Sequence, residues 1–178
     1  MVWEDGRNFK GDRGLRAGEN VPENNTDIYL YDIKEEKEMP IATGSLQESE
    51  PFVSGHYVVW TDRNNGTSFG DIFLYDLRTG KKRQITKDRF NQSSPKIYGD
   101  FIVWMDERRG IASSDVFING KAPNADIFMY NLKTNTERFM TGDEVQLEPN
   151  ISDNWLVFTL SRDVEPKIQA VRYDEEGF

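Results

Sequence analysis

The sequence predicts an all-β protein made of four-stranded antiparallel meanders set side by side, and three observations predict it. First, the chain copies itself: Pro51 recurs 44 residues on at Pro95, Trp60 recurs at Trp104 with the same spacing, and DIYLYD at Asp27 returns as DIFLYD at Asp71. Second, each copy divides into four short runs rich in β-branched and aromatic residues, separated by turn residues. In the copy Pro51 to Thr86 these are PFVS, HYVVWTD, DIFLYDL and KKRQIT. Third, Tyr57-Val58-Val59-Trp60 and Phe101-Ile102-Val103-Trp104 are apolar on both faces, the pattern of a strand covered on both sides. A period in the mid-forties with four strands per repeat is the signature of a propeller blade. The expected architecture is therefore about three and a half to four β-propeller blades in a single domain, residues 1–178, with the ring incomplete in one chain.

Taken in order, the chain opens within a blade. Met1 to Asp5 matches the second strand of later copies, Asp27 to Asp32 the third and Glu38 to Thr43 the fourth, giving a partial blade over 1–43. Complete blades follow at 49–86 and 92–141. The latter is longer because about ten extra residues fall between Trp104 and Asp126, a loop insertion in an unchanged frame. The last copy, 145–178, has Pro149 to Ser152, Trp155 to Thr159 and a weakened third strand from Ile168 to Tyr173, where Gln169 and Arg172 replace apolar residues. The strand tally is three, four, four and three, and both end sheets are incomplete. Open edges of that kind invite pairing with another chain.

Turn chemistry repeats with the strands. Gly55-His56, Gly99-Asp100 and Asp153-Asn154 fill one two-residue slot between first and second strands, where a hairpin needs positive φ. The only histidine, His56, is thereby expected to be a turn residue, the alternative being a ligand or base. Gly80 and Asn135 occupy the left-handed position of matching turns before the fourth strand. Arginines follow the second strand at Arg7, Arg63, Arg108 and Arg162, and aspartates open the third at Asp27, Asp71 and Asp126. Pairing of these arginines with these aspartates inside each blade is expected; the alternative has the arginines crowding a channel mouth to bind a carboxylate-bearing partner.

The stretches SGHYVVWTD with DIFLYDLRTGKKRQIT, YGDFIVWMDERRG with ADIFMYNLKTNTERFMT, and VWEDGR with TDIYLYDIKEEKEMPIAT resemble the TolB-type β-propeller repeats, the WD40-like class of periplasmic and cell-surface proteins. The resemblance covers nearly the whole chain and weakens after Trp155. It implies a non-enzymatic scaffold that binds a protein partner or a surface glycan, located in the periplasm or at the cell surface. The alternative it leaves open is a carbohydrate- or peptide-active enzyme, or the accessory propeller domain of one.

Composition narrows the partners. A formal charge of −9 disfavours nucleic acid and anionic membrane, which require a basic footprint. No run approaches the roughly 18 apolar residues of a membrane span, and MVWEDGRNF carries no signal-peptide pattern. With no cysteine there is neither a disulfide nor a thiolate site. No cofactor or metal is expected. Asp62-Arg63-Asn64-Asn65-Gly66 resembles the start of a calcium loop, but its glycine is misplaced and Phe73 stands where the bidentate glutamate belongs. No catalytic residue is assigned either. A Gly-x-Ser-x-Gly elbow is missing, and Asp62, Asp106 and Glu107 hold repeat positions. What varies is the connection between second and third strands, long at Gly6 to Asn25 and Glu107 to Ala125. Variation on a repeated frame marks the face where function is added. The candidate binding surface is Phe9, Arg13, Leu15, Arg16, Arg108, Arg109, Ile111, Val116, Phe117 and Ile118. Two chains are expected to associate as a dimer that completes the blades, unless the sequence is part of a longer propeller.

Overall fold

A computed structural model describes residues 1–8, 25–45, 47–63, 69–110, 124–140, 144–161 and 166–175, without the side chains of residues 109, 110 and 124. Among them fourteen antiparallel strands form four sheets, each in chain order. Blade 1 holds β1 (Val2–Asp5), β2 (Asp27–Asp32) and β3 (Lys37–Ala42). Blade 2 holds β4 (Glu48–Ser54), β5 (Tyr57–Asp62), β6 (Asp71–Asp76) and β7 (Lys81–Gln84). Blade 3 holds β8 (Gln92–Tyr98), β9 (Phe101–Gly110), β10 (Asn124–Asn131) and β11 (Thr136–Phe139). Blade 4 holds β12 (Val145–Ser152), β13 (Trp155–Ser161) and β14 (Lys167–Arg172).

The first strands of blades 2, 3 and 4 differ from the sequence reading. β4, β8 and β12 begin several residues ahead of the proline that was expected to open them. Proline has no N–H for a ladder, and a bulge is where a strand tolerates that loss. The register shifts between Ser49 and Phe52, between Ser93 and Lys96, and between Leu147 and Asn150, so Pro51, Pro95 and Pro149 each lie within a bulge. The residue before each proline, Glu50, Ser94 or Glu148, has φ of 56°, 55° or 54°. Its N–H turns towards the preceding blade. Glu50 N donates to Glu4 Oε1 (2.7 Å), Ser94 N to Glu50 Oε2 (2.7 Å) and Glu148 N to Met105 Sδ (3.3 Å). A defect in one ladder thereby becomes a bond between blades.

Burial follows the same division into junctions. Ile28, Leu30, Val58 and Trp60 are buried between blades 1 and 2. Val59, Ile72, Leu74, Ile102, Trp104 and Phe128 fill the space between blades 2 and 3, and Val103, Ile127, Met129, Leu156 and Phe158 that between blades 3 and 4. β5 and β9 are apolar on both sides because adjacent residues serve different junctions: Val58 faces backwards and Val59 forwards. At about 25 cal/mol per Å² of apolar surface removed from water, these junctions are the main source of stability. Gly70 makes one of them possible. A Cβ there would lie 2.5 Å from Thr61 Cγ2 and 2.7 Å from Gln92 O, where β8 passes close by.

The turns conform to their residues. Gly55, Gly99 and Asp153 have φ of 58°, 57° and 47°, so only the first residue of each two-residue slot is left-handed. Before the fourth strand Gly80 and Asn135 are left-handed as expected, and Glu36 takes the matching place in blade 1 with φ of 50°. His56 sits in its turn with its ring against Tyr57, centroids 4.0 Å apart.

Candidate functional site

The connections between second and third strands leave the blades at one end, and the residues at their bases are well ordered by a repeated unit. A tryptophan on the second strand stacks on an aromatic residue of the third: Trp3 on Tyr29, Trp60 on Phe73, Trp104 on Phe128. Its indole N–H donates to the aspartate two residues on, Asp5, Asp62 or Asp106, at 3.1, 3.3 and 2.9 Å. A cation then covers the aromatic face and neutralises that aspartate. In blade 1 it is Arg7, 4.2 Å from the Tyr29 ring, bonded to Asp5 (2.5 Å) and to Glu38 of β3. In blade 3 it is Arg108, 4.3 Å from the Phe128 ring, bonded to Asp106 (2.6 Å), Glu137 of β11 (2.8 Å) and Asp88 (3.2 Å).

Blade 2 reaches the same arrangement by exchange. Lys82 of β7 pairs with Tyr75, as Glu38 pairs with Tyr31 and Glu137 with Tyr130, so it stands where the other blades carry glutamate. Its Nζ lies 4.5 Å from the Phe73 ring and 3.1 Å from Asp62 Oδ2. Arg63, one residue too early to take the part of Arg7 or Arg108, bonds instead to Gln47 Oε1 (3.3 Å) and Ser49 Oγ (3.1 Å).

These contacts correct the expected pairing of Arg7 with Asp27 and of Arg63 with Asp71. Asp27 accepts from Asn8 Nδ2 (2.6 Å) and Gly44 N (3.3 Å), and Asp71 from Gln84 Nε2 and Thr86 Oγ1, each at 3.2 Å. The reason is reach. An arginine two residues after the aspartate that accepts from the tryptophan folds back over that aspartate and on to the fourth strand. Arg7 and Arg108 point outwards, away from the inner strands, which removes the channel-mouth alternative for both. Arg162 lies outside the described residues. Around Arg108, burial pushes the Glu137 carboxyl above its usual range while the guanidinium pulls the other way. At Asp5 the hydrogen bonds from Arg7 and Trp3 hold the carboxyl well below that range.

Of the residues proposed from sequence as a binding surface, Arg108 is described, and its charge is engaged within the blade. Phe9, Arg13, Leu15, Arg16, Ile111, Val116, Phe117 and Ile118 lie outside the described residues, as does the side chain of Arg109. What the structure places beneath that segment is a ribbon. β9 is ten residues long against six for β5, and it pairs with β10 as far as Gly110 and Asn124. β9 and β10 thus reach further into the stretch Glu107 to Ala125 than the sequence reading expected.

Sequence reasoning missed a cleft at the other end of the blades. A cavity of about 390 Å³ lies between the turns Gly99-Asp100 and Asp153-Asn154, walled by Tyr98, Phe101 and Tyr173. Tyr98 Oη donates to Asp153 Oδ1 (2.5 Å), Tyr173 Oη to Asp153 O, and Lys133 Nζ holds Asp100 (2.9 Å). The detectable signal was the replacement of Leu77 and Leu132 by Tyr173 at one repeat position. Among the described residues no group of three or more histidines, cysteines or acids is placed to hold a metal.

Meanders joined face to face around their first strands define a β-propeller. No family model and no curated protein matches the sequence. Solved structures do match. TolB from Acinetobacter baumannii is 17% identical with a TM-score of 0.57, over 86% of this chain and 37% of that one. A TolB from Agrobacterium tumefaciens is 14% identical with a TM-score of 0.59, over 97% and 57%. A prolyl endopeptidase is 18% identical with a TM-score of 0.57, over 86% and 23%. The chain therefore spans less than two thirds of each of these proteins. The fold is that of a TolB-like β-propeller, as the repeat motifs imply.

Proposed function

We propose that the protein is a non-enzymatic propeller scaffold in the periplasm or at the cell surface, binding a protein partner through the end of the blades from which the connections between second and third strands emerge. The observation that carries this is the β9–β10 ribbon, whose pairing runs on to Gly110 and Asn124 in a frame that is otherwise repeated blade after blade. Supporting it, Asp62 and Asp106 serve the tryptophan and cation of their own blades, so the recurring acids act as frame residues. The compartment rests on the resemblance to TolB-type repeats.

The test is to replace residues 111–123 with a short Gly-Ser link and to compare formaldehyde adducts in cells with those of the parent. The expected result is loss of the specific adducts with an unchanged melting temperature, while the same replacement at 64–68 leaves them in place. An unaltered adduct pattern after loss of 111–123 overturns the reading. A second reading, a propeller accessory to a catalytic domain, draws support from the likeness to a part of a prolyl endopeptidase.

A further inference from the structure

Away from the loop face, and independently of it, we propose that β7, the outer edge of blade 2, is a docking strand for an acidic, extended peptide segment of a partner protein, which adds to the sheet as a fifth strand. Residues 78–89 hold six lysines and arginines against one acid, in a chain whose formal charge is −9. That acid, Asp88, is bonded to Arg108 of blade 3 (3.2 Å), while Arg78 and Lys82 face Asp76 (3.6 Å) and Asp62 (3.1 Å). The other four, Lys81, Arg83, Lys87 and Arg89, are exposed, and among the described residues none of them has a carboxylate within ion-pair distance. Arg83 is held by neutral partners of blade 3, the Tyr130 hydroxyl and Asn135 Oδ1 (3.0 Å), which orient its guanidinium without cancelling its charge.

Charge alone would draw any anionic polymer; the backbone of β7 selects a peptide. β7 pairs with β6 and with no other described strand, which leaves a row of backbone donors and acceptors on its outer side. Ile85 N–H bonds inwards to Ile72 O, so by the alternation of an antiparallel ladder the N–H and C=O groups of Lys82 and Gln84 point outwards, where a further strand meets them. Side chains alternate as well. Lys81 and Arg83 share the side turned to blade 3, where Arg83 meets Tyr130, and Lys82 lies on the other, over Phe73. An added strand with acids at alternate positions therefore sets them beside Lys81 and Arg83. The corresponding edges of the neighbouring blades do not suit that partner. β3 carries Pro40 and Glu38, and β11 has Glu137 in the place of Lys82. Of these three edges β7 alone consists of cations and a glutamine, which repels a like edge and admits an acidic one.

The test is fluorescence anisotropy of a labelled peptide, acetyl-Glu-Val-Glu-Val-Glu-amide, titrated with the full chain at low and at physiological salt. Binding should saturate and should weaken as salt is added. The double variant Lys81→Gln with Arg83→Gln should bind about fivefold or more weakly, whereas Lys34→Gln, which removes an exposed charge from blade 1, should bind as the parent does. Because Arg83 bonds to blade 3, melting temperatures are compared. If the double variant melts lower, Lys81→Gln with Lys87→Gln takes its place, and the same weakening is expected. The same peptide methylated on alternate amides keeps its charge but cannot pair with β7, and should lose binding. Replacement of residues 111–123 should leave binding unchanged, which separates this site from the loop face. Absence of binding at low salt overturns the proposal, as does binding that survives loss of the cations. Equal binding of the methylated peptide, or of an oligoglucuronate of the same charge, also overturns it, by showing attraction without strand addition.

Discussion

Tyr173 shows how one substitution in a repeated position acquires its own chemistry. Where blades 2 and 3 place a leucine, its ring lies buried against Phe101 and its hydroxyl donates to the Asp153 carbonyl. Burial first, and then the nearby Tyr98 and Asp153, push the phenol up to about 12, against about 10 for a free tyrosine. The folded form holds its proton more tightly than the unfolded form. The stabilisation is therefore complete below about pH 10 and is lost as the pH rises from about 10 to about 12. Urea midpoints compared at about pH 8 and about pH 11 should show a fall in the parent and a smaller fall in Tyr173→Phe. That variant starts about 1 kcal/mol lower at neutral pH for want of the hydrogen bond. An equal alkaline loss in both proteins would assign the effect to another group.

At the scale of the element, the Trp–aromatic–cation unit ties second, third and fourth strands together at one end of each complete blade. Asp106 is fully buried beneath Arg108, and removing a cation from a buried carboxylate is costly. Arg108→Ala should lower stability by about 2 to 4 kcal/mol, and Lys82→Ala, whose ammonium is more exposed, by about 1 kcal/mol. Lys82→Glu should be worse than Lys82→Ala, since it sets a second acid against Asp62, and Asn64→Arg should recover the loss by restoring the wiring of blades 1 and 3. Denaturant titration of the four proteins checks the order, and no recovery in the double variant would refute the exchange. Sequence showed the arginines recurring, yet not their partners, because position alone does not tell which strand a long side chain folds over. Lys82 was invisible for the same reason: only the register of β6 against β7 sets it over Phe73.

Across the whole molecule, stability is a sum over junctions, and the end blades each have one described neighbour. Amide exchange should accordingly be fastest in β1 and β14 and slowest in β5, β6, β9 and β10 in a dilute sample. Uniform protection along the chain would contradict this. The blade count, the strand order and the turn positions were all legible, because each depends on local pattern repeated at a fixed interval. Two things were not. The inner strands began earlier than Pro51, Pro95 and Pro149 suggested, since a proline ends a ladder in most contexts and only a bulge admits it. The exposure of Ile168 could not be read either, because an isoleucine in a strand looks the same whether or not another blade lies over it.

The exchange at Lys82 divides labour differently among the blades. In blade 1 the start of the connection after the second strand is committed to the frame through Arg7, and in blade 3 Arg108, within β9, has the same duty. Blade 2 draws its positive charge from the far edge of the sheet, at Lys82, and Arg63 beside Asp62 bonds instead to Gln47 and Ser49. The sign of a charge on the fourth strand therefore decides where a blade of this kind can take its cation from, so an acid at position 82 would oblige the connection to supply one.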